Sequence, residues 1–349
     1  MSKFRSYFIF SDFLLTSTKN FVYDTSTKTF VMKNIMKIIF ATVLISLFLA
    51  SACSAQKNAS SDNSAGAKQE KTGAKQNDDL QKQIAQIASE AQARVGVRAE
   101  ILETGESVSL KEAEQFPMQS VYKLPIGMAV LRRVDEGKIK LDQTVKVKKS
   151  DFALAGQYSP IRDKNPDGTE LTVEKLLEFA VSESDGTASD VLLDLVGVAA
   201  MKEYLDGLGI KNIVVLNREK EIGKDWETQY KNWAAPAGAV ALLRALQEGR
   251  SGLSEASRAL ILKLMTQTPR GAKRLKGLLP AEAIVAHKTG TSGTRGGVAA
   301  AINDIGIITL PNGKHLAIAV FVSDSRADEK TRELVIAKIA RAAWDNWSR

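Results

Sequence analysis

The sequence predicts an α/β sandwich: a mainly antiparallel β-sheet flanked by helices, with an all-α lobe inserted after the first hairpin. Three observations predict it. Residues 96–110, GVRAEILETGESVSL, alternate apolar and polar positions around Thr104-Gly105, as a hairpin does. Near the other end, DIGIITL and HLAIAVFV are apolar runs joined by Pro311-Asn312-Gly313-Lys314, a second hairpin signal. Between the two, apolar residues recur mainly at helical spacing. The chain of 349 residues, 44% hydrophobic and 25% charged, has enough material for a sizeable core in one or two domains.

From the N-terminus, MKNIMKIIFATVLISLFLASAC has a basic start at Lys33 and Lys37, an apolar run from Ile38 to Ala50, and small residues before Cys53. That is the anatomy of a secretory leader, too short in its apolar part to span a bilayer comfortably. Residues 1–53 are read as leader, of which 1–31 precede a second methionine, Met32, that can serve as the start. Ala50-Ser51-Ala52-Cys53 resembles the lipobox of bacterial lipoproteins, which implies lipidation at Cys53 and membrane anchoring. The same letters satisfy an Ala-x-Ala site, so plain secretion is the alternative. Cys53 is the single cysteine; with two histidines, this leaves no intrachain disulfide and no Cys/His zinc cluster. A net charge of +8 is spread along the chain, and the 6% aromatics do not interleave with it, so nucleic acid is not an expected partner.

Residues 54–77 are almost entirely Ser, Ala, Asn, Gln, Lys, Gly and Asp, without a large apolar side chain. Such a stretch is expected to be a disordered tether. It contains Ser54-x-x-Lys57, Ser61-Asp62-Asn63 and Lys71-Thr72-Gly73. Catalysis needs groups held to a fraction of an ångström, which a tether cannot do, so these copies are expected to be inert. The same signatures recur in the following segment, 78–349.

In FPMQSVYKLPIGMAVLRRVDEG, Leu124, Met128, Leu131 and Val134 mark a helix with Ser120 at its start. Lys123 is one turn on, where its amine can reach the hydroxyl; a helix N-cap is the alternative role for Ser120. In LTVEKLLEFAVSESDGTASDVLLDLVG, two amphipathic helices (Leu176, Leu177, Ala180; Val191, Leu192, Leu195) flank Ser184-Asp185-Gly186, which can equally be a polar cap. AIVAHKTGTSGTRGG ends an apolar run in Lys288-Thr289-Gly290-Thr291, with Lys288 on a strand edge, where a solvated strand residue is the alternative role. TRELVIAKIARAAWDNW predicts a terminal helix over the sheet through Leu334, Ile336, Ile339 and Ala342. The α/β part is expected at 78–114 and 267–349, the helical lobe at 115–266.

Ser-x-x-Lys, then Ser-Asp-Gly about sixty residues on, then Lys-Thr-Gly about a hundred further, resembles the penicillin-recognising serine enzymes. Tyr158 in QYSPI, Glu219 in LNREKEIG and Arg274 in RLKGLLP make the chain similar to class A β-lactamases over residues 80–349, and QYKNW at 229–233 resembles a branch with extended-spectrum cephalosporin hydrolases. The resemblance implies an exported, monomeric β-lactamase, periplasmic or at the cell surface, that confers antibiotic resistance. It implies acylation of Ser120 by penicillins or cephalosporins, with Lys123, or Glu219 through a water, taking the serine proton. It further implies an oxyanion hole from the backbone N–H groups of Ser120 and Thr291, proton delivery by Ser184, and deacylation by Glu219, with Glu221 as fallback. Lys288, Thr289, Gly290, Thr291 and Arg274 would cradle the substrate carboxylate, Tyr158 would line the cleft, and no metal or organic cofactor is implied. Gly186 and Gly223 depart from the family, which usually has asparagine at both. A D,D-peptidase, which typically lacks the loop glutamate, and a non-catalytic lipoprotein receptor are the alternatives.

Overall fold

Five strands form one antiparallel sheet: β1 (Arg94–Ile101), β2 (Ser107–Leu110), β3 (Ile284–Thr291), β4 (Val298–Thr309) and β5 (His315–Ser325), ordered β2-β1-β5-β4-β3. A two-residue strand, Thr294–Arg295, adds to β4. Both predicted hairpins form. Gly105 turns β1 into β2 at φ 76°, and Gly313 turns β4 into β5 at φ 80°, where Leu310 N donates to Lys314 O at 2.9 Å. Glycine suits both turns because side chains disfavour positive φ. The computed structural model describes residues 64–349, with side chains from residue 77. The leader and Cys53 lie outside them.

The longer helices that flank the sheet or build the adjoining helical lobe include α1 (Ser64–Ser89), α2 (Lys123–Asp135), α3 (Gly186–Val196), α4 (Pro236–Gln247), α5 (Glu255–Thr266) and α6 (Glu329–Trp347). Strand β5 is buried on both faces, so it reads as a continuous apolar run. Leu316, Ile318, Val320 and Val322 join a core with Leu80, Ile84 and Ala88 of α1 and Ile336, Ile339, Ala343 and Trp344 of α6. Ala317, Ala319 and Phe321 point the other way, into the core shared with the helical lobe. On α6 the buried stripe runs through Val335 rather than the expected Leu334, which is half-buried.

The helix α1 begins at Ser64, within the stretch expected to be a disordered tether, so residues 64–77 are helical and that expectation is corrected there. Ala, Lys, Gln and Glu are good helix formers, and extending a helix already anchored by Leu80 and Ile84 requires only propagation. Lys71-Thr72-Gly73 therefore lies on a helix; Ser54 to Asn63 lie outside the described residues. Within the helical lobe, Leu124, Ile126, Met128, Val130 and Leu131 make α2 buried nearly all round. Although inside 115–266, α4 packs on β1 and β5 and α5 packs on β3. The lobe is thus continuous with the inner face of the sheet, and Ala65–Arg349 form one compact unit. Among the described residues, no helix is long and apolar enough to cross a membrane.

Candidate active site

Ser120 sits in a one-turn 3-10 helix, Gln119–Tyr122, that leads into α2. Its approach is tightly constrained. Gln119 has φ 47°, a left-handed conformation costly for a side-chain residue, and its amide donates to Gln229 Oε1 at 2.6 Å. Asn303 of β4 donates to Pro117 O (2.8 Å) and Met118 O (3.1 Å), and Gly290 lets β3 pass against Met118 where a Cβ would strike its carbonyl. The N-cap role does not apply: no side chain caps this turn or α2, and Ser120 Oγ accepts from Lys123 Nζ at 2.9 Å.

Ser184 follows a π-turn, Glu178–Ser182, and has φ 66°. Asp185 then caps α3 by accepting from Ala188 N at 2.9 Å, and also accepts from Ile161 N at 2.8 Å. Lys288 Nζ donates to Ser184 Oγ at 2.9 Å and to Thr289 O at 3.1 Å. Lys288 is on an edge strand but only 1% exposed, so the solvated alternative does not apply: the Ser120 turn and α5 cover that edge. Burial pushes the Lys288 ammonium well below the usual lysine range, and the Lys123 charge adds to the shift.

Glu219 opens a short helix, Glu219–Ile222, whose first amides are held by Asp190 of α3: Glu219 N to Oδ1 at 2.6 Å and Lys220 N to Oδ2 at 3.1 Å. Burial raises Asp190 to about 7. The Glu219 carboxylate lies 3.0 Å from Lys123 Nζ and accepts from Tyr122 OH at 2.5 Å. Burial alone would raise its pKa, but Lys123, Tyr122 and Lys288 together hold it below the ordinary glutamate value. Lys123 also donates to Ser184 O at 3.0 Å, so its three protons have three partners: Ser120, Ser184 and Glu219. Glu221 turns elsewhere and accepts from Arg218 N at 2.8 Å.

These groups face a cleft of about 680 Å³, lined also by Tyr158, Thr289 and Thr291. Tyr158 is 46% exposed, with the Arg270 guanidinium 3.8 Å above its ring. Arg274 is 5% exposed and lines the cleft. It donates to Thr291 Oγ1 (2.8 Å), Gly290 O and Asn303 O (both 3.1 Å), and pairs with Glu333 (3.2 Å), so it backs Thr291. At Gly186 a Cβ would lie 2.7 Å from Glu219 Cγ, so the usual asparagine does not fit. Tyr122, Asp190 and Arg270 escaped the sequence reading, and Gln157 and Gln229 entered it only as letters of QYSPI and QYKNW without a role, because each acts on a partner distant in the chain.

A serine and a carboxylate joined by one lysine, with a second lysine on a second serine, define an acyl-transfer serine hydrolase. The family model of the beta-lactamase enzyme family matches residues 79–347. The extended-spectrum beta-lactamase PER-1 of Pseudomonas aeruginosa is 43% identical over 267 residues, covering 76% of this chain and 86% of that protein. A solved beta-lactamase from Chitinophaga pinensis is 44% identical with a TM-score of 0.74, covering 76% of this chain and 98% of that one. A class A beta-lactamase structure from Bacteroides cellulosilyticus is 32% identical with a TM-score of 0.73, over 78% and 98%. The chain belongs to the beta-lactamase enzyme family, in its class A. This selects the hydrolase over the peptidase and receptor alternatives.

Proposed function

We propose that the protein hydrolyses the β-lactam amide of penicillins and cephalosporins, extended-spectrum cephalosporins included, through an acyl-enzyme on Ser120, and so confers antibiotic resistance. The observation that carries this is the Lys123 ammonium, 2.9 Å from Ser120 Oγ and 3.0 Å from Glu219 Oε2. Lys123 in its neutral form, or Glu219 through a water, takes the proton of Ser120 and passes it on to Ser184, so that Glu219 is an ionised carboxylate in the acyl-enzyme. The serine oxygen attacks the lactam carbonyl, whose developing charge is met by the backbone N–H groups of Ser120 and Thr291. The C–N bond breaks, and Ser184, bonded to Lys288, delivers a proton to the ring nitrogen. Lys288, Thr289, Thr291 and Arg274 bind the substrate carboxylate beside Gly290. Tyr158 walls the cleft. In deacylation Glu219 takes a proton from water, the water oxygen attacks the acyl carbon, and the serine oxygen leaves with a proton.

Mass spectrometry after benzylpenicillin tests the assignment. Glu219→Gln accumulates a covalent adduct, its deacylation slowed by about two to four orders of magnitude, the usual cost of losing a general base. Ser120→Ala carries no adduct. An adduct on Ser120→Ala, or trapping by Glu221→Gln but not Glu219→Gln, overturns it. The same reading has the chain exported, lipidated at Cys53 and monomeric.

A further inference from the structure

The second glycine departure, Gly223, is explained by a neighbour. A Cβ there would lie 2.6 Å from Cδ and Nε2 of Gln157 and 2.8 Å from its Oε1, so the Gln157 amide occupies the volume that a side chain at 223 would enter. That amide is fully engaged. Its Oε1 accepts from Leu154 N at 2.8 Å and its Nε2 donates to the Glu219 carbonyl. Only one orientation satisfies both, since a flipped amide would set donor against donor and acceptor against acceptor.

The base from which Gln157 reaches is itself held. Gln157 N donates to Leu154 O at 3.0 Å, while Arg162 donates to Gln157 O at 3.0 Å, Ala153 O at 3.1 Å and Leu154 O at 2.6 Å. The element it reaches is weak by itself: Glu219–Ile222 has four residues, far below the length at which a helix sustains itself. Asp190 binds residue 219 at its amide, and Gln157 binds it at its carbonyl, where Gly223 N also donates at 2.9 Å. We infer that Gln157 is a positioning residue for deacylation: lodged where residue 223 has no side chain, its amide holds the Glu219 backbone so that the carboxylate stays beside Lys123. This rests on Glu219 being the deacylating base.

Single-turnover acylation and deacylation with benzylpenicillin test it, on folded protein checked by thermal melting. Gln157→Ala slows deacylation about 10- to 100-fold, as misplacement of a catalytic group does, while acylation stays within about threefold. The isosteric Gln157→Glu slows it likewise, because a carboxylate cannot donate to the Glu219 carbonyl. Gly223→Asn alone also slows deacylation, its side chain competing with Gln157 for one volume. Combined with Gln157→Ala, it deacylates faster than either single variant, since the vacated volume now admits the asparagine. Deacylation at the parental rate in Gln157→Ala or Gln157→Glu, equal loss of both steps, or a double variant as slow as the product of the singles overturns the inference. Glu219→Gln in the same series separates the two readings. If it traps acyl-enzyme while Gln157→Ala turns over normally, only Gln157 is misassigned; if it does not trap, the role of Glu219 fails first.

Discussion

Lys123 and Lys288 are each 1% exposed, and both bond Ser184, one at its carbonyl and one at its hydroxyl. Burial, with the Lys123 charge added, makes Lys288 release its proton well below the ordinary lysine value of 10.5. The substrate cradle therefore loses positive charge as pH rises, so KM climbs on the alkaline side before pH 10.5. Lys288→Arg keeps its charge and flattens that climb in a KM–pH profile. On the acid side the sign reverses. Glu219 is held below 4.5, so deacylation persists to lower pH than an ordinary glutamate would allow. Gly186→Asn forces a side chain against Glu219 Cγ at 2.7 Å. The expected outcome is a stability loss of about 1–3 kcal/mol in denaturant melts, as in other overpacked sites, together with slower deacylation.

At the level of elements, α6 carries its apolar face into the sheet and its first turns to the site: Glu329 lines the cleft and Glu333 pairs with Arg274. Trp344, 7% exposed, lies four turns further on in the sheet core. Trp344→Ala thus costs about 3–5 kcal/mol of folding stability, the range for deleting a large buried aromatic. The acylation rate of the folded protein stays unchanged, and melting curves beside single-turnover kinetics check both. The helix itself was legible from its apolar content, but its register was not. Residues 334–336 are Leu-Val-Ile, and a run apolar on more than one face does not say which side turns inward. Likewise Ser120, Lys123, Ser184 and Lys288 were legible because each falls in a short fixed spacing. Gln157 and Asp190 were not, since their partner is the backbone of residue 219, 62 and 29 positions away.

For the whole molecule, the export and anchoring read from Cys53 are tested by fractionation. Cys53→Ser moves activity from the membrane pellet to the soluble fraction, with kcat/KM unchanged for the released enzyme. Wild-type activity already soluble, with an unmodified Cys53 at the mature N-terminus, indicates plain secretion instead.

By itself the sequence determined the alternating strands, the two hairpin turns, the helices after Ser120, around Ser184 and at the C-terminus, and the local pairs such as Ser120 and Lys123, because period-2 and period-3.6 patterns and short motifs act over a few residues. Only the tertiary structure decided that Lys288 on an edge strand is buried, that Arg274 backs Thr291, and that Gly186 and Gly223 make room for Glu219 and Gln157. Those outcomes depend on which distant segments share a volume, and close packing settles that only when the whole chain is folded.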